Sequence, residues 1–455
     1  YKLFKVNLFQ NKIPICKLKT AFNLFIQSVF SDWIKTLCWH HWRNYIMDEE
    51  FKYLKIPDDK IGMIWTLSCI SDICVIEFGT HIKTHHVVEN INKICDDNKC
   101  KIYSIHIDEE ENVCNVFEKL KDTIINLANE VKPKYIFIVE SSQPCMIGEK
   151  ILNVCKDLKE VANCKLLPIN MSNLNYDYNI GREFALEFLA KKIVKHNEKD
   201  MNKYNIIGFS IDKYNYLADI KELQRMMKEL FNKEVNTMFT INASIEEIEN
   251  ASKASLNIVV RKDALKAAKY MEEEYGIPYI YVNLYGFKNA IKFIESIKKI
   301  DGYKLDEEKY TYEMDQVKKR LLQVKKKFYF YKGSKDCAIF GDFDTVLGIS
   351  EMLKELGFNV DKKEIIYKTC DDANIVNEKA YLETTKYLSD KELLILLGDR
   401  VSIDMRHKSK KDLQISNTSL DLVDKCIDTP YIGFKGCMYI INQILNIDIN
   451  SEIEA

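Results

Sequence analysis

No stretch of about 18 uncharged apolar residues runs anywhere in these 455 residues, so no membrane-spanning helix is expected. Nor is there a surplus of one charge. The formal net charge is −2, which leaves no global basic field to recruit nucleic acid or an anionic membrane. Two nucleotide-binding patterns are missing as well. Without GxGxxG nothing points to a nicotinamide cofactor, and without GxxxxGK[ST] there is no P-loop, so no nucleotide is expected on this chain. No signal peptide is expected either. The 14 cysteines of a chain this long are not a small disulfide scaffold, and they read as reduced thiols in a cytoplasm.

What is present is ordinary for a globular protein, 47 % apolar and 29 % charged, at a length that suggests two or three domains. Ten of the 14 cysteines lie at or before Cys164, which leaves room for a metal site in the first half. Scattered buried thiols acting as small hydrophobes explain the same distribution. Residues 1–46 differ from the rest. They hold six lysines and one arginine against a single acid, Asp32, together with Trp33, Trp39 and Trp42. Such an extension reads either as a basic, aromatic membrane-surface helix or as sequence translated upstream of a true start at Met47. The change of composition at that Met favours the second, non-native reading.

From residue 73 onward, short runs rich in Val, Ile, Tyr and Phe alternate with amphipathic stretches. CVIEF, KIYSIHI, YIFIVE, KLLPIN, YNIIGFS, VNTMFTI, LNIVV, YIYVNL, CAIFGD, EIIYKT and LLILLG predict strands buried on both faces. Between them, Val116, Leu120, Ile124 and Leu127 recur at helical spacing. Strand–helix alternation predicts an α/β protein of mainly parallel sheets with right-handed crossovers. In IFGDFDTVLGISEMLKELGF a strand runs into Gly341 and Asp342, and the helix stops at Gly357. Such turns place backbone N–H groups at the carboxyl edge of a sheet, where doubly wound folds bind ligands. Charged connectors at 190–205 and 301–330 divide the chain into units near 50–190, 200–300 and 325–455. The run EMDQVKKRLLQVKKK within the second connector reads as a solvated helix face, with a docking surface for an acidic partner as the alternative.

These pieces, in this order, resemble the nitrogenase component 1 family. YNIIGFS, EVNTMFTINASIEEIENASKASLNIVV and AAKYMEEEYGIPYIYVNLYGFKNAIKFI are similar to its middle domain. IHIDEEENVCNVFEKLKDTI with KPKYIFIVESSQPCMIGEKI is similar to its first, and CAIFGDFDTVLGISEMLKELGF with LLILLGD to its third. TPYIGFKG resembles its C-terminal signature PY-x-G-[FY]-x-G, and the likeness spans roughly residues 58–446. The resemblance implies three Rossmann-like domains around an interdomain cleft, in a family that holds nitrogenase, its cofactor scaffolds, and reductases of protochlorophyllide, chlorins and nickel-sirohydrochlorin. It also implies paired component 1-like subunits, and electrons delivered by an ATP-dependent iron protein.

The resemblance also says where ligands should stand. The bridging-cluster cysteines of the family map near Pro57, Lys83 and Ser142, so all three are replaced here. The cofactor cysteine maps to about Val260 and the cofactor histidine near Val423, and the family's Gly-His pair reads Gly181-Arg182. An iron–sulfur cluster needs thiolates, so it lacks its usual ligands. Cys69, Cys74 and Cys145 lie near the vacated positions, with His81 after the strand, and these four are the substitute metal ligands the sequence offers. Cys74 inside ICVIEF also reads as a small buried thiol, and the neighbouring pair His85-His86 as solvated. Cys145, on the turn before a helix, gains from that helix's dipole. Arg182 could bind an anionic tetrapyrrole or another carboxylate-bearing substrate if it faces the cleft, and is otherwise a surface arginine.

Three functions follow. The first is an oxidoreductase subunit reducing an unidentified substrate with electrons from an iron protein. The second is a non-catalytic partner subunit or metallocofactor-assembly scaffold of such a system. The third is a ligand-binding protein that keeps the cleft without redox chemistry. Fold alone does not choose among them.

Overall fold

The computed structural model describes residues 59–79, 100–106, 113–140, 146–170, 178–365, 378–405, 407–416 and 429–449, all within one compact unit, Ile56–Ala455. The first part runs α1 (Asp59–Ser68), β1 (Ile73–Gly79), β2 (Lys101–His106), α2 (Val113–Glu130), β3 (Tyr135–Glu140), α3 (Met146–Asp157), β4 (Lys165–Ile169) and α4 (Tyr178–Lys192). Next come β5 (Asp200–Ile207), α5 (Tyr216–Phe231), β6 (Glu234–Phe239), β7 (Ala254–Val259), α6 (Leu265–Tyr275), β8 (Tyr279–Tyr281), α7 (Phe287–Ile297) and α8 (Glu307–Lys327). The last part is β9 (Asp336–Gly341), α9 (Phe343–Glu355), β10 (Asn359–Ile365), α10 (Glu378–Asp390), β11 (Glu392–Gly398), β12 (Lys408–Gln414) and α11 (Gly433–Leu445).

The strands form three four-stranded parallel sheets, ordered β2-β1-β3-β4, β8-β7-β5-β6 and β10-β9-β11-β12. All three share one topology: the first strand of each sheet lies between the second and the third. The winding therefore reverses between first and third strands, and the carboxyl ends there frame a crevice. In the second sheet that crevice lies beyond β5 and β7.

Two-sided burial explains the sequence of the central strands. Every residue of β3 and of β7 is buried. Along β1 the period of two sorts side chains cleanly: Ile73 and Val75 face one core, Cys74, Ile76 and Phe78 the other. The second of these cores receives Val116, Leu120, Ile124 and Leu127 of α2, the stripe expected from their spacing. The first core joins the first and second sheets, with Ala185, Leu186 and Leu189 of α4 inserted between them. A third core links the second and third sheets and is closed by Phe434, Ile440, Ile441 and Ile444 of α11.

Glycine sets one close helix crossing. A Cβ on Gly181 of α4 would lie 1.6 Å from the Asp59 carbonyl oxygen, and a Cβ on Gly62 of α1 would lie 2.1 Å from that of Tyr178. The two helices touch backbone to backbone. On the far side of the sheets, buried Glu249 clamps β3 to the second unit. It accepts from Lys134 Nζ (2.7 Å), Tyr135 Oη (2.7 Å) and Lys195 Nζ (2.8 Å). Burial presses its carboxyl upward, but these three donors prevail and hold it at about 2.

Two strands depart from expectation. β12 (KSKKDLQ) is an edge strand with alternating burial and almost no apolar residue, so it gives no hydrophobic signal. β10 begins at Asn359, ahead of the apolar run EIIYKT, because pairing with β9 starts at Asp336–Asn359. The remaining runs form strands as expected. Among the described residues no helix is long and apolar enough to cross a membrane.

Candidate functional site

Charged residues lie shortly beyond the carboxyl ends of β5 and β7: Asp212 and Lys213 in Ser210-Ile211-Asp212-Lys213 beyond β5, and Arg261-Lys262-Asp263 beyond β7. The start of α4 brings Tyr178, Asn179 and Arg182 to the same place. Arg182, 1 % exposed, donates through Nε to Asp263 Oδ2 (2.8 Å), through one terminal nitrogen to Asp212 Oδ1 (3.4 Å), and through the other to the Gly208 carbonyl (3.1 Å). Arg261, 2 % exposed, grips both oxygens of Asp212 (2.9 and 3.1 Å), donates to Asn179 Oδ1 (3.0 Å), and lies 3.3 Å from Asp263. The result is a closed square of two guanidiniums and two carboxylates.

Burial of a charge costs several kcal/mol per ion unless it is paired. Burial alone would push Asp212 up, but Arg261 and Arg182, with the Ser210 hydroxyl, hold it well below the usual carboxylate range. It stays ionised. Tyr178 faces the same square, its hydroxyl 3.3 Å from Ser210 Oγ, and burial above all keeps it protonated. The second oxygen of Asp263 has no partner among the described residues.

The third sheet extends the cluster. Asp342 and Asp344 follow β9, and Asp342 caps α9 through Thr345 N (3.3 Å). Lys213, 3 % exposed, lies 4.9 Å over the Tyr285 ring. Burial works against its charge, but Tyr285, Asp342 and Asp344 outweigh it and raise the ammonium. Asp344 accepts from Tyr281 Oη (2.5 Å) and from the Lys262 backbone (3.1 Å). Burial, then the Asp342 charge, pushes its carboxyl up. Asp342 moves the other way: Lys213, Arg261 and Thr345 overcome its burial. The PYIGFKG segment closes the cluster from outside. Asp219 Oδ1 accepts from the Tyr431 (2.6 Å) and Ile432 (3.3 Å) backbones, and burial pushes its carboxyl up to about 7 against those donors. Gly433, at φ +67, lies where a Cβ would meet Met226 Sδ at 2.6 Å.

Of the residues singled out from the sequence, Arg182, Cys69 and Cys74 are described, and these three are not brought together into one centre. Arg182 lies neither at the surface nor open to a substrate, because its nitrogens are engaged by Asp263, Asp212, Gly208 and the Tyr178 hydroxyl. Cys74 is fully buried in β1 on the α2–α3 side of the first sheet, and burial pushes its thiol up to about 11. Cys69 packs on the core that links the second and third sheets, and its Sγ donates to the Trp65 carbonyl (3.1 Å). Two thiols on different cores do not converge on one ion, and a thiol held protonated is a poor ligand. Cys145 and His81 lie outside the described residues, as do Pro57, Lys83, His85, His86, Ser142 and Val423. Val260 is a buried hydrophobic residue whose N–H bonds Ile207 O (3.0 Å).

Among the described residues no group of three or more His, Cys, Asp or Glu could hold a metal ion. The described residues of the second sheet's crevice do not fit a metallocofactor: Asp212 and Asp263 pair with guanidiniums, and the cysteine position is aliphatic Val260. Asp212, Arg261 and Asp263 were not singled out from sequence. The available signal was charge within a few residues of the end of an apolar strand, Asp212 in GFSIDK and Arg261 and Asp263 in VVRKD.

Comparison with known proteins places this architecture. The family model "Nitrogenase component 1 type Oxidoreductase" matches residues 59–447. The chain is 27 % identical over 320 residues to the nitrogenase iron-molybdenum cofactor biosynthesis protein NifE of Clostridium pasteurianum, covering 65 % of this chain and 67 % of that protein. It is 25 % identical over 264 residues to a light-independent protochlorophyllide reductase subunit of Crocosphaera subtropica, covering 53 % of this chain and 51 % of that one. With the same reductase subunit from Huperzia lucidula it shares 24 % identity over 378 residues, covering 72 % and 70 %. The chain thus spans between about half and about seven tenths of the length of these relatives. In fold it is similar to nitrogenase Cp1, with a TM-score of 0.69 at 12 % identity, covering 88 % of this chain and 95 % of that one. With three parallel sheets of one topology, and a family match that covers most of its length, the chain belongs to the nitrogenase component 1 type oxidoreductase family.

Proposed function

We propose that this chain is one subunit of a nitrogenase component 1-like oxidoreductase, organised in units near 50–190, 200–300 and 325–455. It takes electrons from an ATP-dependent iron protein and works with a homologous component 1-like chain. The observation that carries the reading is the family match over residues 59–447 on three parallel sheets of one topology, and the ion square at the crevice of the second sheet limits where the redox centre can be. Arg182, Arg261, Asp212 and Asp263 fill the space where the family resemblance puts a catalytic cofactor. The redox centre therefore belongs elsewhere, either with Cys145 and His81 as the remaining candidate ligands of this chain or on the partner chain. A second reading is a non-catalytic subunit or cofactor-assembly scaffold, supported by similarity to the cofactor biosynthesis protein.

Co-expression with a component 1-like chain from the same genome separates these readings. The expected result is a stable complex that oxidises a dithionite-reduced iron protein from that genome in a MgATP-dependent reaction, with turnover lost when this chain is omitted. A complex that forms but accepts no electrons supports the scaffold. No complex with any component 1-like chain overturns both.

A further inference from the structure

The C-terminal half of α8 and the turn after it carry more charge and apolar surface than the fold uses. Between Gln316 and Lys335 there are eight Lys and Arg and no Asp or Glu, in a chain whose net charge is −2. The inward side of α8 is a single stripe, Tyr310, Val317 and Val324. Lys319, Leu322 and Lys326 recur at three- and four-residue spacing on the opposite side. Leu322 is 58 % exposed there, and Tyr329 and Phe330, which follow the helix, are 75 % and 69 % exposed. These two rings meet edge to face at 4.7 Å.

Lysines in a last turn favour the helix dipole by about 0.3–1 kcal/mol, which accounts for Lys325 and Lys326. Lys327 is used inside the protein, donating to the Leu445 carbonyl at 2.6 Å. The dipole accounts neither for Lys319, more than a turn earlier, nor for two large rings standing in water. Exposed aromatic rings are the residues that protein interfaces enrich, within a polar rim.

We propose that this face docks an acidic protein surface that offers carboxylates to Lys319, Lys325 and Lys326 and an apolar contact to Leu322, Tyr329 and Phe330. Its size favours a protein over a nucleic acid. At 1.5 Å per residue the basic part of the helix is only about 15 Å long, and it is bounded by Asp315 on the same helix. A phosphate backbone continuing along the helix would meet like charge.

The test uses the full chain and two fluorescent peptides of equal charge, polyglutamate and a glutamate–leucine copolymer, read by anisotropy. Lys319→Glu/Lys325→Glu/Lys326→Glu is expected to weaken both about tenfold or more, with the loss shrinking as salt rises. Tyr329→Ser/Phe330→Ser is expected to weaken only the copolymer. If charge reversal disturbs folding, Lys319→Gln/Lys325→Gln/Lys326→Gln gives the same reading at smaller amplitude. Unchanged peptide binding in the lysine variants overturns the proposal. So does tighter binding of duplex RNA or of phosphatidylserine vesicles to this face than of either peptide.

Discussion

Asp212→Ala is expected to destabilise the protein by about 3–5 kcal/mol, the cost of removing one partner from a buried ion pair. The substitution strands Arg261 and Arg182, 2 % and 1 % exposed, with only Asp263 between them. Two guanidiniums facing one carboxylate are worse than a cavity, because neither can shed its proton. The double variant Asp212→Leu/Arg261→Met should recover part of the loss, since replacing both members of a buried pair by apolar residues is often near neutral. The pH dependence has a definite sign. The folded Asp212 carboxyl is held below its ordinary value, so its contribution is complete above the unfolded pKa of about 4 and is lost as pH falls through and below it. The gap between wild type and Asp212→Ala in urea unfolding should be constant from about pH 5 upward and narrow in acid. A loss under about 1 kcal/mol at neutral pH would mean that the square is hydrated and exchangeable, which would reopen the crevice to a ligand.

The second large effect is expected from Gly181→Ala. Helix propensity alone predicts a gain of about 1 kcal/mol. Geometry predicts the opposite, since the new Cβ would lie 1.6 Å from the Asp59 carbonyl oxygen and 2.9 Å from its Cα. Both are backbone atoms, so no side chain can swing aside, and α1 and α4 must part. Overpacking costs about 1–3 kcal/mol where side chains can adjust, so about 3 kcal/mol or more is expected here. Thermal unfolding decides the sign: a lowered midpoint supports the crossing, and an unchanged or raised one refutes it. Gly62→Ala should behave alike, and the pair should be less than additive because both open one contact. Gly181 precedes Arg182, so the crossing also sets where the arginine enters the square.

Most strands of the three sheets, with β10 in part, were legible because both-face burial leaves an uninterrupted apolar run, as in YIFIVE and LNIVV. The stripe of α2 and the stop at Gly357, at φ +86, were legible from periodicity and chirality. β12 was not, because an edge strand in water needs no apolar residue. The site was harder to read for a different reason. Arg182, Asp212, Arg261 and Asp263 come from three separate segments of the chain, and each alone looks like a surface charge. Only the shared strand topology, which puts the ends of β5 and β7 side by side, reveals that they neutralise one another. Cys69 and Cys74 illustrate the reverse. Five residues apart, they suggest a ligand pair, yet the turn and the strand's alternation send them to separate cores.

The central claim is that this chain builds no metal site from Cys69, Cys74 and the crevice of its second sheet. The most direct measurement is iron and acid-labile sulfide, with EPR after dithionite, on protein purified strictly without oxygen, both alone and co-expressed with a homologous component 1-like chain. The account predicts that any cluster signal survives Cys69→Ser and Cys74→Ser and grows with the partner present. Iron and sulfide in the protein alone at cluster stoichiometry, about four irons per chain, lost on either substitution, would contradict it.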